Sequence, residues 1–280
     1  MNLRPTWLAA AALAWPLSGH AAEFDCLLEP SQTVEIRSAV EGLIQRIHVQ
    51  RGEDVKAGQT VVELDAALER SAVAVARFRM QADGRIGAAR NRMDYAQRKT
   101  KRSDELHGGS FISAQARDEA ETERKLAEAE LKEALENQEL ARLEHQRALD
   151  MLNQKTLRSP FNGVVVDRML NPGDLAEAGN GRKPILKLAK MDPLRVEVVL
   201  PLSTFGHIKS GTSARIRTEA GNGHDAKVKV VDRVFDAASG TYGVQLELPN
   251  PGGKIPGGLR CRVDFPGLGG LAATKGTTLR

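Results

Sequence analysis

The chain has 280 residues, of which 41% are hydrophobic but only 4% aromatic, and its formal net charge is +4. This length allows one to three compact units, and the shortage of aromatic side chains favours thin cores over the large core of a globular enzyme. Basic and acidic residues are interspersed rather than clustered, which argues against a nucleic-acid partner.

Residues 1–22 have the pattern of a secretory signal peptide. Arg4 precedes an apolar run over residues 7–17, and small residues follow up to Ala21 and Ala22, near which we expect cleavage. The apolar run is shorter than the roughly 20 residues that a membrane-spanning helix needs. We therefore expect an exported protein that does not keep this segment.

Two cysteines follow this segment, Cys26 and Cys261, each in a stretch where apolar residues alternate with polar ones. An exported protein meets an oxidising compartment, so the two thiols could form a disulfide. The alternative is a pair of separate, buried thiols that pack as small apolar groups. The sequence leaves both possibilities open.

Residues 38–58 and 159–179 repeat one pattern at a constant offset. The repeated residues are Ser38, Gly42, Gly52 and Gly58 in the first segment and Ser159, Gly163, Gly173 and Gly179 in the second. Apolar residues alternate between the glycines, which we interpret as turn positions. The repeat predicts two halves of one β unit, the first within residues 23–65 and the second within 157–190.

The intervening residues 66–156 predict an antiparallel helical hairpin. They are rich in Ala, Glu, Arg, Lys, Gln and Leu, contain no proline, and carry small or apolar residues at every seventh position, as in a coiled coil. The two heptad series are Leu68, Val75, Ala82, Ala89, Ala96 and Ser103, then Ala120, Ala127, Ala134, Ala141 and Ala148.

We predict one break in this helical pattern, at the tip, residues 107–113. Gly108 and Gly109 are expected to end the first helix, and Ser113 is expected to cap the second. Each arm would then have roughly 40 residues and a length on the order of 60 Å.

Residues 191–266 return to apolar–polar alternation. The alternating apolar residues include Leu194, Val196, Val198 and Leu200, then Ala214 and Ile216, then Val244, Leu246 and Leu248, and finally Leu259 to Phe265. Short strands separated by Gly, Asn and Pro predict a small antiparallel β-barrel. Residues 267–280, rich in Gly and Thr, are predicted to be a flexible tail.

The sequence contains no recognisable catalytic or metal-binding pattern. The six histidines are scattered without metal-ligand spacing, and no glycine-rich phosphate loop precedes a helix. The sequence therefore predicts a protein that is not an enzyme and has no metal or cofactor.

The order of these segments resembles a known family. The β half-repeat resembles the biotinyl and lipoyl carrier fold, except that a helical arm replaces the hairpin that carries the modified lysine. A split lipoyl-like β-sandwich, interrupted by a coiled-coil α-hairpin and followed by a small β-barrel, is an elongated α+β arrangement. It resembles the periplasmic adaptors, or membrane fusion proteins, of the HlyD and resistance–nodulation–division (RND) families.

Short motifs strengthen the resemblance. Asp192-Pro193-Leu194 resembles the start of the family's barrel, and residues 254–259 resemble its Pro-Gly-Met turn with an extra Gly and Leu in place of Met. Family members that dock onto TolC-type channels carry an Arg, a Leu four residues later and a Ser seven further. Arg102, Leu106 and Ser113 have this spacing around the predicted tip.

The resemblance implies a periplasmic adaptor that links an inner-membrane transporter, of RND or ABC type, to a TolC-like outer-membrane channel. It also implies self-assembly, as a hexamer. Only 15 residues follow Phe265, so we expect the family's fourth, membrane-proximal domain to be missing or reduced. The alternative function is a coiled-coil scaffold or binding module of the envelope, without a transport role.

Overall fold

The computed structural model describes residues 23–178, 183–219, 221–266 and 268. The predicted signal peptide, Gly179 and nearly all of the predicted tail lie outside these residues. The chain divides into two compact units, one containing Glu35–Leu188 and the other Met1–Val34 with Ala189–Arg280.

The described residues form twelve strands and three α-helices. The strands are β1 (Glu23–Ile36), β2 (Gly42–Ile47), β3 (Asp54–Val55), β4 (Thr60–Leu64), β5 (Thr156–Arg158), β6 (Gly163–Arg168), β7 (Leu175–Ala176), β8 (Leu186–Pro201), β9 (Ser213–Thr218), β10 (Gly223–Val231), β11 (Thr241–Leu248) and β12 (Arg260–Asp264). The helices are α1 (Ala67–Gln81), α2 (Gly84–Gly108) and α3 (Ala114–Asn153).

In the first unit, strands that precede the helical hairpin pair with strands that follow it. All three pairings are antiparallel: β2 with β7, β3 with β6, and β4 with β5. Both predicted halves contribute buried side chains, namely Ile44, Val49, Val55, Val61, Val62 and Leu64 from the first and Phe161, Val165, Ala176, Ile185, Leu186 and Leu188 from the second. The two halves therefore build one β unit although about ninety helical residues separate them.

The repeated residues have two kinds of role. Ser38 and Ser159 are both buried, and each hydroxyl donates to the carbonyl two residues ahead, of Val40 and Phe161. Gly52, Gly58 and Gly173 are turn residues with positive φ, as the sequence predicts.

Gly42 and Gly163 are not turn residues, contrary to the prediction, because they begin strands β2 and β6. At Gly42 the reason for glycine is space. A Cβ there would lie 3.3 Å from both Leu64 Cδ1 and Lys155 Nζ.

The hairpin has a break that the sequence analysis did not predict. The first arm consists of two helices, α1 and α2, because Ala82 leaves the helical conformation with ψ of 106°. Asp83 and Gly84 follow, and both residue types are poor in helix interiors. The prediction that the tip contains the only break is therefore wrong.

Small residues line the contact between the arms, which we call the seam. Ala89 and Ala96 of α2 are buried, as are Ala120, Ala127 and Ala148 of α3, and all five lie at predicted heptad positions. In α1 the heptad prediction is wrong, since Leu68 is 82% and Val75 54% exposed. The half-buried residues of α1 are instead Glu69, Val73, Ala76 and Met80.

The second unit is a closed six-stranded barrel; a small barrel is predicted within residues 191–266, but its strand β1 comes from outside that range. The strand order is β1-β12-β9-β10-β11-β8, and β8 also pairs with β1. Val196 lies opposite Leu246, and both are fully buried. Leu268 is also buried in this core, so it belongs to the barrel although the sequence assigns it to the tail.

Among the described residues, no helix combines the length and the apolar character needed to cross a lipid bilayer.

Candidate functional site

The tip is closed by hydrogen bonds to the last turn of α2. The N–H of Ser110 donates to the carbonyl of His107, and that of Phe111 to the carbonyl of Leu106, both over 2.9 Å. His107 Nδ1 lies 3.3 Å from the carbonyl oxygen of Ile112. The turn thereby satisfies carbonyls that a helix end otherwise leaves without partners.

The conformation of this turn differs from the predicted glycine stop. Gly108 is the last helical residue and Gly109 has φ of −87°, whereas the left-handed conformation falls on Ser110, with φ of 59°. A Cβ at position 109 would lie 2.6 Å from the exposed Phe111 ring, so a larger residue there would displace that ring.

Ser113 is the N-cap of α3, as predicted. Its backbone is extended, and its Oγ accepts a hydrogen bond of 3.2 Å from the N–H of Ala116. The side chain is exposed, and its own hydroxyl hydrogen remains available to an outside acceptor.

Arg102 and Leu106 lie one helical turn apart on the surface of α2. Arg102 is exposed and has no hydrogen bond or ion pair with any residue in the described part of the chain. Leu106 is 41% exposed. The tip thus presents an unpaired guanidinium group, an apolar side chain and a hydroxyl group.

Phe111 is a tip residue whose surface role the sequence analysis missed. Its ring is 78% exposed and lies beside Gly109. The sequence signal was available, since an aromatic residue in a turn of a chain so poor in aromatics is unusual. Together with Leu106 it gives the tip an exposed apolar surface.

Ion pairs and one buried hydroxyl hold the two arms together below the tip. Arg117 and Asp104 lie 2.7 Å apart, and Lys99 and Glu123 lie 2.6 Å apart. These hydrogen-bonded partners raise the pKa of Arg117 and that of Lys99. The exposure of both pairs limits their contribution to stability.

Thr100 is the buried hydroxyl, and the sequence analysis did not identify it. Its Oγ1 lies 2.9 Å from the carbonyl oxygen of Ala120 on α3 and 3.0 Å from that of Ala96 on its own helix. A hydroxyl in a seam whose other buried residues are alanines and Ile86 therefore joins the arms at one defined level.

Lys155 joins the base of the hairpin to the β unit. Its Nζ lies 3.1 Å from Glu69 Oε1 on α1 and donates to the carbonyl of Glu41 over 3.1 Å. The pKa of Glu69 is lowered first by its own backbone N–H and then by Lys155, against the opposing effect of burial. The Lys155 side chain is only 14% exposed, so solvent screens this pair weakly.

In the barrel, Cys26 of β1 lies directly opposite Cys261 of β12, and the two form a disulfide. Of the two alternatives that the sequence left open, the structure contains the disulfide. Within the described residues, no three His, Cys, Asp or Glu side chains are grouped so that they could hold a metal ion.

Comparisons with known proteins agree with this architecture. The model of the CzcB-like barrel-sandwich hybrid domain matches residues 32–181. The pyoverdine export membrane fusion protein PvdR of Pseudomonas aeruginosa is 25% identical over 197 residues, covering 70% of this chain and 50% of PvdR. The multidrug efflux pump subunit AcrA of Escherichia coli K12 is 23% identical over 243 residues, covering 82% of this chain and 58% of AcrA.

The chain spans about half the length of the curated relatives it matches. Among solved structures, MacA from Actinobacillus actinomycetemcomitans superposes with a TM-score of 0.73 at 20% identity, over 87% of this chain and 78% of MacA. The membrane fusion protein Spr0693 from Streptococcus pneumoniae R6 superposes with a TM-score of 0.62 at 13% identity, over 88% and 98%. At these identities the structural likeness concerns the fold alone.

Proposed function

The chain belongs to the CzcB-like barrel-sandwich hybrid family, and from this premise we propose that it is the periplasmic adaptor of a tripartite efflux or secretion system. Members of this family are non-enzymatic adaptors. In the proposed role, the chain links an inner-membrane transporter, of RND or ABC type, to a TolC-like outer-membrane channel. Its site of action is the periplasm, after cleavage of the signal peptide near Ala21 and Ala22.

The observation that carries the proposal is the exposed surface of the tip. Arg102 offers planar N–H donors that suit a carboxylate or the carbonyls at the end of another helix. Leu106 and Phe111 supply apolar area, and Ser113 supplies a hydroxyl group. The tip therefore suits docking against the helical end of a channel subunit.

Self-assembly would strengthen such docking. A single tip offers few side chains, so one tip alone would bind weakly. In a hexamer, the proposed assembly, six tips would engage one channel at once. Linked contacts of this kind can raise the overall affinity by about 10²- to 10⁴-fold without new interactions.

Substitutions at the tip test the docking role directly. Arg102→Asp and Leu106→Ala should leave the thermal unfolding temperature unchanged, since both side chains are exposed, and should abolish export. The measurement is the susceptibility of a host lacking the native gene to a panel of efflux substrates, with each variant supplied in trans.

Matched controls lie on the same helices away from the tip. Arg90→Asp on α2 and Leu126→Ala on α3 change exposed side chains of the same types, and we expect both variants to export normally. Normal export by the two tip variants would contradict the docking role.

Crosslinking separates the adaptor from the envelope scaffold. Because Cys26 and Cys261 are joined, a cysteine introduced at Gln97 or Asp118, both exposed near the tip, is the reactive thiol. With a maleimide photocrosslinker, the adaptor should trap a TolC-like channel in intact cells. A cysteine at Glu136, far from the tip, is the control. Equal or absent channel capture from all three positions would favour the scaffold.

A further inference from the structure

The break between α1 and α2 lacks the local interactions that usually stabilise helix ends. Asp83, the residue before α2, makes no side-chain capping hydrogen bond, and the N–H of Ala82 reaches the carbonyl of Arg79 only over 3.3 Å. Helix ends without such partners leave backbone groups to water. The broken form therefore gains little from the break itself.

The sequence of the first arm fits two different registers against α3. In the structure, Val73, Ala76 and Met80 of α1 are half-buried, whereas the larger part of Leu68 and Val75 is exposed. Leu68, Val75 and Ala82 continue the heptad of the buried Ala89 and Ala96 backwards along the chain. They would face α3 if α1 and α2 formed one helix.

The two registers differ by one residue, which corresponds to a rotation of α1 by about 100° about its axis. The exchange trades one set of apolar side chains for another, and it also brings Arg79 to the seam, because Arg79 lies on the same helix face as Val75 and Ala82. Val73, Ala76 and Met80 would leave the seam, while Leu68, Val75 and Ala82 would enter it. A continuous helix would also form hydrogen bonds across Ala82 and Asp83, which the break prevents.

An open cleft lies beside the break, and the second register would place the side chain of residue 82 in it. The cleft has a volume of about 690 Å³, and its lining includes Phe78, Ala82, Ile86, Ala134 and Gln138. Small residues on both arms leave this space unfilled.

Three features oppose the second register: Asp83 and Gly84 disfavour a helix interior, Arg79 is paired with Glu144, and Glu69 is paired with Lys155. The ion pair of Glu69 with Lys155 at the base of the hairpin requires Glu69 to face α3. Rotating α1 by one residue would move Glu69 away from Lys155, whose side chain is only 14% exposed. This pair therefore acts as a latch for the register seen in the structure.

We propose that the first arm of the hairpin is a two-register element. In one register α1 and α2 are separate helices held by the Glu69–Lys155 latch, and in the other they are one helix that packs Leu68, Val75 and Ala82 against α3. Switching between them changes which side chains α1 presents to a neighbouring molecule.

Thiol reactivity at two adjacent positions reports the register. Val75→Cys should react quickly with a maleimide in the broken register and slowly in the continuous one, and Ala76→Cys should behave in the opposite way. The native cysteines do not interfere because they form a disulfide. The measured quantity is the ratio of the two reaction rates.

Two substitutions should drive the switch. Asp83→Ala places the best helix former at the break and should change the rate ratio about three-fold towards the continuous register. Ala82→Leu should change it further, about ten-fold, because a leucine in the second register fills the cleft. Circular dichroism at 222 nm checks that both variants remain folded and gain helix.

The matched control is Asp94→Ala, an exposed aspartate in the interior of α2. It raises helix propensity in the same arm without touching the break, so the rate ratio should stay at the value of the parent protein. The two-register proposal is overturned if Asp83→Ala and Ala82→Leu both leave the ratio where Asp94→Ala leaves it.

Discussion

In the barrel, long aliphatic side chains such as Leu194, Val196 and Leu246 are fully buried. In the described hairpin helices, the buried residues are alanines, Ile86 and Thr100. The barrel also closes by pairing β1 with β12, strands from opposite ends of the sequence, whereas the seam joins helices that follow one another. The barrel therefore depends on apolar burial, and the hairpin on helix propensity and polar contacts between the arms.

The disulfide gives the largest expected contrast between the two regions. Reduction should destabilise the barrel by about 5 kcal/mol, because the bond closes a loop of more than two hundred residues in the unfolded chain. Hydrogen exchange measured by mass spectrometry should show faster exchange in β12 and unchanged exchange in α2 and α3. A variant carrying Cys26→Ser and Cys261→Ser should not respond to reductant, and an equal response of both regions would contradict the contrast.

Leucine truncation gives the next largest effect. Leu246→Ala in the barrel should lower the free energy of unfolding by about 3 kcal/mol, because it leaves a cavity in a packed core. Leu126→Ala on the exposed surface of α3 should change it by less than about 0.5 kcal/mol. Urea titration of both variants is the measurement, and similar losses would mean that the two regions do not differ in the proposed way.

Thr100 tests whether polar contacts matter in the seam. Thr100→Val removes the hydroxyl that bridges the arms and should cost about 1 kcal/mol of helical stability. Thr122→Val is the control, since the Thr122 hydroxyl is exposed and bonds only within its own helix, to the carbonyl of Asp118. Thermal unfolding followed at 222 nm should separate the variants, and equal melting temperatures would remove the assigned role of Thr100.

Glu197 on the barrel surface gives the smallest effect, visible as a pH dependence. Burial raises the pKa of Glu197, although Arg195 lies 3.1 Å away and opposes the rise. The pKa of Glu197 is higher in the folded state than in the unfolded state. The contribution of Glu197 to the free energy of unfolding is therefore complete below about pH 4.3 and is lost as the pH rises through the folded-state pKa. The free energy of unfolding of the wild type, relative to Glu197→Gln, should therefore decrease between pH 4 and pH 7. A difference that does not vary with pH would contradict the assignment.

The sequence predicted the parts of the fold that follow from local repetition. The matching serines and glycines of the two half-repeats predicted one β unit, and Ser38 and Ser159 do form the same hydrogen bond in both halves. The alternation of apolar residues predicted the barrel, because strand faces alternate strictly. The cap at Ser113 was also predictable from residue type alone.

Features that depend on geometry between elements were not predictable in this way. The heptad prediction for α1 was wrong because the non-helical residues Ala82 and Asp83 shift the phase of α1 relative to α2. Asp83-Gly84 was nevertheless a visible turn signal in the sequence. Gly42 was predicted to be a turn residue because the sequence around it does not show its close packing against Leu64. The bridging role of Thr100 and the latch at Lys155 require knowing which side chains meet across the seam and at its base.

The contact between Gly109 and Phe111 has a consequence for how this family could vary. Any larger residue at position 109 would force the aromatic ring outward, since the first carbon of a side chain already overlaps it. An alanine at position 109 would thus move the Phe111 ring further out from the tip, and Phe111 itself would stay unchanged. A substitution at position 109 could therefore alter the shape of the apolar tip surface while Leu106 and Phe111, which form it, are kept.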